Sequence, residues 1–190
     1  NTNHCLSWGC EITVQVLGSG GPESTERASA SYIIWQDEKA RVLIDFGGGA
    51  FLHFGQTKAQ IEDLELLLLT HLHIDHVAGL PALMKAGYFS DRTKDLKILG
   101  PAGNDYFPGL DKYLRLQFSD QGAYRYMSDI LSKQSDSFSI VPYEIDKDKS
   151  FDFKMLKVTA VRVHHGIVPA LAYKVEIDKK VIVFSGDTTA

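Results

Sequence analysis

The sequence predicts a layered α/β domain, and three observations carry that expectation. Short apolar or alternating runs recur along the chain, interleaved with helical patterns, which suits stacked layers better than a pure β-sandwich. One run, Leu66-Leu67-Leu68-Leu69, is unbroken and reads as a buried strand. A histidine-rich segment, Thr70 to His76, follows it directly, and ligands in open α/β layers bind beyond the carboxyl ends of strands. At 190 residues the chain holds one well-formed core, so residues 1–190 are expected to form a single domain.

The elements follow in order. Residues 12–17 and 31–36 alternate or run apolar with β-branched and aromatic side chains and predict strands, as do 41–45. Ala59, Ile61 and Leu64 share one side of a predicted short helix over 58–64. A second helix is predicted over 76–87, stopping at Gly87. Leu96-Lys97-Ile98-Leu99 predicts a strand closed by the breaker pair Gly100-Pro101. Phe107, Leu110, Tyr113, Leu114 and Phe118 fall at helical spacing. From 119 to 150 the pattern weakens. Strands resume at 155–163, 170–177 and 180–184, the last two joined by a turn at Asp178-Lys179. No solenoid repeat or low-complexity tract is present.

Composition bounds the function. Hydrophobic residues make up 44% and charged residues 23%, ordinary for a globular protein. A net charge of −4 and a pI near 6.0 give no global attraction to nucleic acid. No apolar run approaches the ~20 residues that span a bilayer. The chain begins Asn1-Thr2-Asn3-His4 without Met, as a removed secretory signal or a trimmed chain would. Its only cysteines, Cys5 and Cys10, could close a small loop in an oxidising compartment or stay as two thiols. Export to the periplasm or the medium is therefore the expected location, with the cytoplasm as the alternative.

The chemistry concentrates in Thr70-His71-Leu72-His73-Ile74-Asp75-His76, which holds three of the seven histidines. Imidazole nitrogens with a carboxylate suit Zn²⁺, with Fe or Mn as weaker candidates. In extended backbone, His71 and His73 point the same way and can reach one metal while Leu72 packs behind. As the chain turns, Asp75 and His76 can face a second metal. Two adjacent metals can brace both the attacking and the leaving oxygen of a displacement. Asp75 would also serve as a helix N-cap.

This run resembles the HxHxDH motif of the metallo-β-lactamase superfamily. Other landmarks follow in the family's order. Val14 to Gly21 resembles the first strand and glycine turn, and Val42-Leu43-Ile44-Asp45-Phe46-Gly47 the strand ending in Asp-x-Gly. His165 to Tyr173 is similar to the stretch carrying the third histidine of the first metal site. Val181 to Thr188 is similar to the SGDT segment. The resemblance implies a metallo-β-lactamase-like αββα sandwich. It implies two zinc ions, one held by His71, His73 and His165, the other by Asp75 and His76, with Asp187 bridging. It implies hydrolysis by metal-activated hydroxide, since zinc lowers the pKa of water toward ~7. Asp75 is the expected catalytic residue, steering that hydroxide.

The remaining residues weigh differently. His164 and His165 are adjacent at a strand end and point to opposite faces, so only one reaches the metal. The family's ligand is followed by Gly, which selects His165, with His164 behind it or solvated. Asp187 alone would pass for an ordinary turn aspartate. Asp45 ends a buried strand and is expected to hold a ligand histidine or the turn, because metal-bound imidazole usually donates its other N–H to an oxygen. His4 and His53 have no motif support.

The chain stops three residues after Asp187, where the family continues and supplies a last histidine. The expectation is therefore a piece of a longer protein, incomplete at its C-terminus. An apolar face would be left for the missing half or for a partner, including a second copy in a homo-oligomer. Leu17 to Pro22, Arg27 to Tyr32, Leu99 to Gly103 and Pro169 to Val175 resemble the ribonuclease Z and phosphodiesterase group. Phosphodiesters or small molecules are the expected substrates. The glycine- and proline-rich basic arm that grips tRNA in that group is not recognisable, which sets tRNA aside. Arylsulfatase-like and lactonase-like hydrolases of the same fold remain alternatives. So do an iron-dependent redox enzyme, which visible absorption would reveal, and a non-catalytic metal-binding module.

Overall fold

The computed structural model describes residues 11–133 and 135–185. Among the described residues, ten strands and four α-helices build two sheets with a layer of helices. Cys5, Cys10, His4 and Asp187 lie outside the described residues.

The first sheet has six strands in the order β1-β2-β3-β4-β5-β6. β1 (Ile12–Gly18), β2 (Ser31–Gln36) and β3 (Lys39–Ile44) form an antiparallel meander. β2 and β3 turn through Asp37 and Glu38, both at positive φ, which is the twist-matched geometry of a two-residue hairpin. β4 (Leu66–Leu68), β5 (Leu96–Pro101) and β6 (Ile140–Ile145) then add in parallel. The second sheet is antiparallel, in the order β10-β9-β8-β7, from β7 (Lys149–Phe153), β8 (Leu156–Val163), β9 (Ala170–Ile177) and β10 (Lys180–Phe184). Asp178 and Lys179 make the β9–β10 turn at positive φ, where the sequence places it.

Alternation along the strands divides the core in two. Leu43, Leu67 and Ile98 face the helices and pack with Leu83, Met84, Leu114 and Phe118. Val42, Ile44, Leu66, Leu68 and Leu99 face the second sheet and pack with Val158, Leu171, Tyr173 and Val175. Every side chain of β4 is thus buried, which explains the unbroken leucine run: a parallel strand covered on both faces needs no polar side. The described residues fill three layers of an αββα sandwich. Val161, Val181 and Val183 are exposed on the second sheet. Among the described residues no helix is long and apolar enough to cross a membrane.

The helices correct the sequence reading in places. α1 (Ala50–Gln56) follows three glycines and has no strong apolar stripe, so its pattern is weak. The helix expected over 58–64 is only a 3₁₀ turn, Ile61–Asp63. Its carbonyls are claimed elsewhere: buried Arg92 donates to Ile61 O and Leu64 O at 2.7 Å each, and Glu65 N–H pairs with Arg41 O. The helix expected over 76–87 is two helices, α2 (Ile74–Val77) and α3 (Leu80–Tyr88). Pro81 lacks the N–H an interior position needs, so it occupies the first turn of a new helix. β5 runs through the expected breaker pair, because Gly100 and Pro101 pair with Glu144 and Ile145. α4 (Leu110–Phe118) matches its apolar spacing. In the weak stretch that follows lie a 3₁₀ segment, Arg125–Leu131, and strands β6 and β7. Pro142 within β6 hides that strand from pattern reading.

Candidate metal centre

β4 ends at Leu68, and the chain bends at Thr70 and reaches His73, which is extended, before α2 begins at Ile74. This exit sets the directions of the motif side chains. His71 is buried and His73 half-buried, with ring centroids 4.9 Å apart. His165 arrives from the second sheet, on the turn between β8 and β9. Gly166 in that turn adopts a left-handed φ of 60°, and Val168 N–H closes it on His165 O. One nitrogen from each of His71, His73 and His165 lies within 4.8 Å of the others. His165 Nδ1 is buried with no hydrogen-bond partner among the described residues. A buried imidazole nitrogen without a partner is costly unless something binds it. Three convergent nitrogens fit a divalent transition metal of the zinc type.

Asp75 and His76 form a second group beside the first. Both are buried, with His76 Nε2 3.4 Å from Asp75 Oδ2 and its ring centroid 4.0 Å from that of His71. His76 Nδ1 lies 2.7 Å from Asp45 Oδ2. Asp45 also accepts Thr70 N–H at 2.8 Å and Thr70 O–H at 2.7 Å. Burial pushes the Asp45 carboxyl above its ordinary pKa, against the opposing pull of His76 and Thr70. An ionised carboxylate only accepts hydrogen bonds, so His76 Nδ1 carries the proton and Nε2 keeps its lone pair.

The backbone holds these groups in register. Asp45 has φ 55°, a left-handed conformation that Asp tolerates better than most residues. Phe46 N–H pairs with His76 O, and Gly79 N–H with Phe46 O. A Cβ on Gly47 would sit 2.0 Å from Asp75 O, so only glycine lets the Asp45–Gly47 turn lie against the motif.

His71, His73 and His165 are thus brought together, with Asp75 and His76 adjacent. His164 is exposed and lies outside the three-histidine group. Asp187 falls outside the described residues. Ser185, two positions earlier, lines a cavity of about 400 Å³ together with Asp45, Thr70 and His76. Sequence reasoning missed three neighbours. Thr70 links Asp45 to the histidines, Phe107 lies 6.0 Å from the His73 ring, and buried Tyr173 donates to Leu69 O at 2.6 Å. Only Thr70, inside the motif itself, had a signal that could have marked it.

The layered architecture and the histidine constellation define a member of the metallo-β-lactamase superfamily, near its ribonuclease Z and phosphodiesterase group. Human tRNase Z, short form, superposes with a TM-score of 0.69 at 23% identity, over 92% of this chain and 68% of that one. The metallo-beta-lactamase fold protein YhfI from Bacillus subtilis gives 0.68 at 17% identity, over 94% and 63%. Ribonuclease Z of Pyrococcus horikoshii is 30% identical over 162 residues, 85% of this chain and 47% of its own length. The chain spans about half the length, or less, of the curated ribonuclease Z relatives it matches. Residues 12–190 match the family described as anti-Pycsar protein Apyc1, and the chain belongs to that family.

Proposed function

We propose that this chain carries the metal-binding part of a hydrolase that cleaves phosphodiesters. The observation that carries the reading is the convergence of His71, His73 and His165 next to the Asp75–His76 pair, in a fold shared with ribonuclease Z. Zinc is the preferred metal for three imidazoles, with Mn or Fe as alternatives. A bound divalent cation supplies Lewis acidity, polarising the phosphoryl oxygen and lowering the pKa of water to about 7.

The chain's own groups do the rest. His71, His73 and His165 would hold the first ion. Asp45 keeps the proton of His76 on Nδ1, so that Nε2 would offer its lone pair to the second. Asp75, buried beside that nitrogen, orients the attacking water and takes its proton. Asp187, three residues beyond the end of β10, is the carboxylate proposed to be shared by the two ions. The ribonuclease Z relatives bring tRNA back among the candidate substrates, although the sequence shows no basic arm.

The test has two readouts. Wild-type protein is expected to hold at least one zinc tightly, and His71→Ala with His73→Ala to lose it by elemental analysis. A panel of a bis-aryl phosphate, an aryl sulfate, a lactone and a cephalosporin then ranks the chemistry in the full-length protein. Retained stoichiometric zinc in the double variant sinks the metal assignment. Turnover of the sulfate or the lactone, but not the phosphodiester, sinks the substrate class.

A further inference from the structure

Thr70 stands between the end of β4 and the first histidine of the motif, and it is only 1% exposed. At that depth each of its polar groups needs a partner within the protein. Its N–H donates to Asp45 Oδ1 at 2.8 Å, and its carbonyl accepts the N–H of Leu171, in β9, at 2.8 Å. The backbone of Thr70 is therefore tied to both sheets. Its hydroxyl has a fixed place, and only the direction of its hydrogen bonds is left to decide.

A count of protons decides it. Thr70 Oγ1 lies 2.7 Å from Asp45 Oδ2, and two oxygens at that distance share a proton. A carboxylate has none to give, so the hydroxyl donates its single proton there. Toward any other neighbour Oγ1 can only accept. Its next neighbour is His71 Nδ1, at 3.1 Å. That nitrogen must then carry the imidazole proton, and the lone pair falls to Nε2. His76 Nδ1 is 3.5 Å from the same hydroxyl but 2.7 Å from Asp45 Oδ2, so it donates to the carboxylate directly. One carboxylate oxygen thus governs two imidazoles, His76 by contact and His71 through Thr70. A ligand histidine needs an acceptor on its second ring nitrogen, since otherwise its proton can occupy the coordinating position.

We propose that Thr70 is a positioning residue for the first metal. Its hydroxyl fixes the proton of His71 on Nδ1 and so turns Nε2 toward the ion shared with His73 and His165. The proposal rests on the metal-centre reading above and adds to it a residue outside the ligand set. Loss of the hydroxyl should move the two metal positions in opposite directions. His71 Nδ1 would lose its acceptor, and the first ion would bind against a misplaced proton. Asp45 Oδ2 would lose a competing donor and hold His76 more closely. A residue that merely fills space or braces the backbone would weaken both positions together.

The experiment uses the full-length protein, with zinc and without. Long-range ¹H–¹⁵N spectra of the metal-free wild type, at about pH 8 where an unperturbed imidazole is neutral, are expected to show His71 protonated on Nδ1. Protonation on Nε2 overturns the proposal, and this reading needs no variant. Competition with a chromophoric chelator gives the stepwise zinc affinities, and the ¹⁵N shifts of His71 and His76 assign each step to its position. Thr70→Val keeps the branched shape and removes the hydroxyl. It should weaken the first ion about tenfold and leave the second within about threefold of wild type, or tighten it. Thr70→Ser keeps the hydroxyl and should hold first-ion affinity within about threefold of wild type, with His71 still protonated on Nδ1. Equal weakening at both positions, wild-type affinity for the first ion in Thr70→Val, or a tenfold loss in Thr70→Ser overturns the proposal. If Thr70→Val does not fold, the wild-type tautomer and Thr70→Ser decide. If the wild type binds no zinc, the metal reading has failed, and the His71 tautomer alone decides what the hydroxyl does.

Discussion

Replacing Asp45 by Asn changes one atom and tests how the second metal position is prepared. Asp45 receives three hydrogen bonds, from Thr70 N–H, Thr70 O–H and His76 Nδ1–H, at 2.8, 2.7 and 2.7 Å. Asn keeps one oxygen for Thr70 N–H and tolerates the left-handed φ of 55°. Its NH₂ replaces the oxygen that faces His76 and now donates. Nδ1 must then accept, the imidazole proton moves to Nε2, and that proton points where the ion should bind. Three charge-assisted bonds become neutral ones, a loss of about 1 kcal/mol each. Relief of a buried carboxylate, whose pKa burial already raises, offsets part of this. The net cost in metal-free protein should be about 1–2 kcal/mol. Affinity for the second metal should fall about 10–100-fold, the usual price of losing the partner of a ligand histidine. Urea unfolding measures the first quantity and chelator competition the second, while ¹⁵N shifts of the His76 ring report its tautomer. Second-site affinity within twofold of wild type, with the tautomer unchanged, would refute the argument that Asp45 sets the ligand nitrogen.

Other outcomes follow from the same structure. Gly47→Ala should cost about 1–3 kcal/mol and weaken metal binding, because its Cβ would meet Asp75 O at 2.0 Å; chemical denaturation and metal titration check both. Arg92→Leu should cost about 3–5 kcal/mol in urea unfolding, since Arg92 serves the carbonyls of Ile61, Leu64, Lys94 and Asp95. An unchanged midpoint would show that those carbonyls find other donors. Tyr173→Phe should cost about 1 kcal/mol at pH 8 by losing the bond to Leu69 O. Burial, with the Asp45 charge second, raises the Tyr173 pKa well above its ordinary 10.0. A raised folded-state pKa gives stability that is complete below 10.0 and lost as pH climbs through the folded value. The stability gap between wild type and Tyr173→Phe should therefore narrow, measured by paired urea melts, as pH rises above 10.0. A constant gap would mean that the phenol does not resist ionisation.

Much of the site was legible in the sequence because its residues are close in the chain. Thr70 to His76 carries two of the three clustered histidines and both members of the Asp75–His76 pair, and the unbroken leucines before it mark the buried strand that aims them. Asp45 was legible for a similar reason, as a carboxylate ending a strand just before a glycine. Local pattern also placed β2, β9, β10 and α4, where periodicity and turn residues agree. It failed where a distant group decides the local outcome. The 58–64 helix is cut short because Arg92, some thirty residues on, takes its carbonyls. The 76–87 helix divides where Gly79 is drawn to Phe46. The choice of His165 over His164 needed a family resemblance, since strand alternation says only that the two diverge. Tertiary structure alone brings the β8–β9 turn onto the end of β4 and joins the Asn104 loop to that turn. A sequence sets which side chains share a face of one element. Which faces meet is decided only when two sheets pack and close the distance between residues nearly a hundred positions apart.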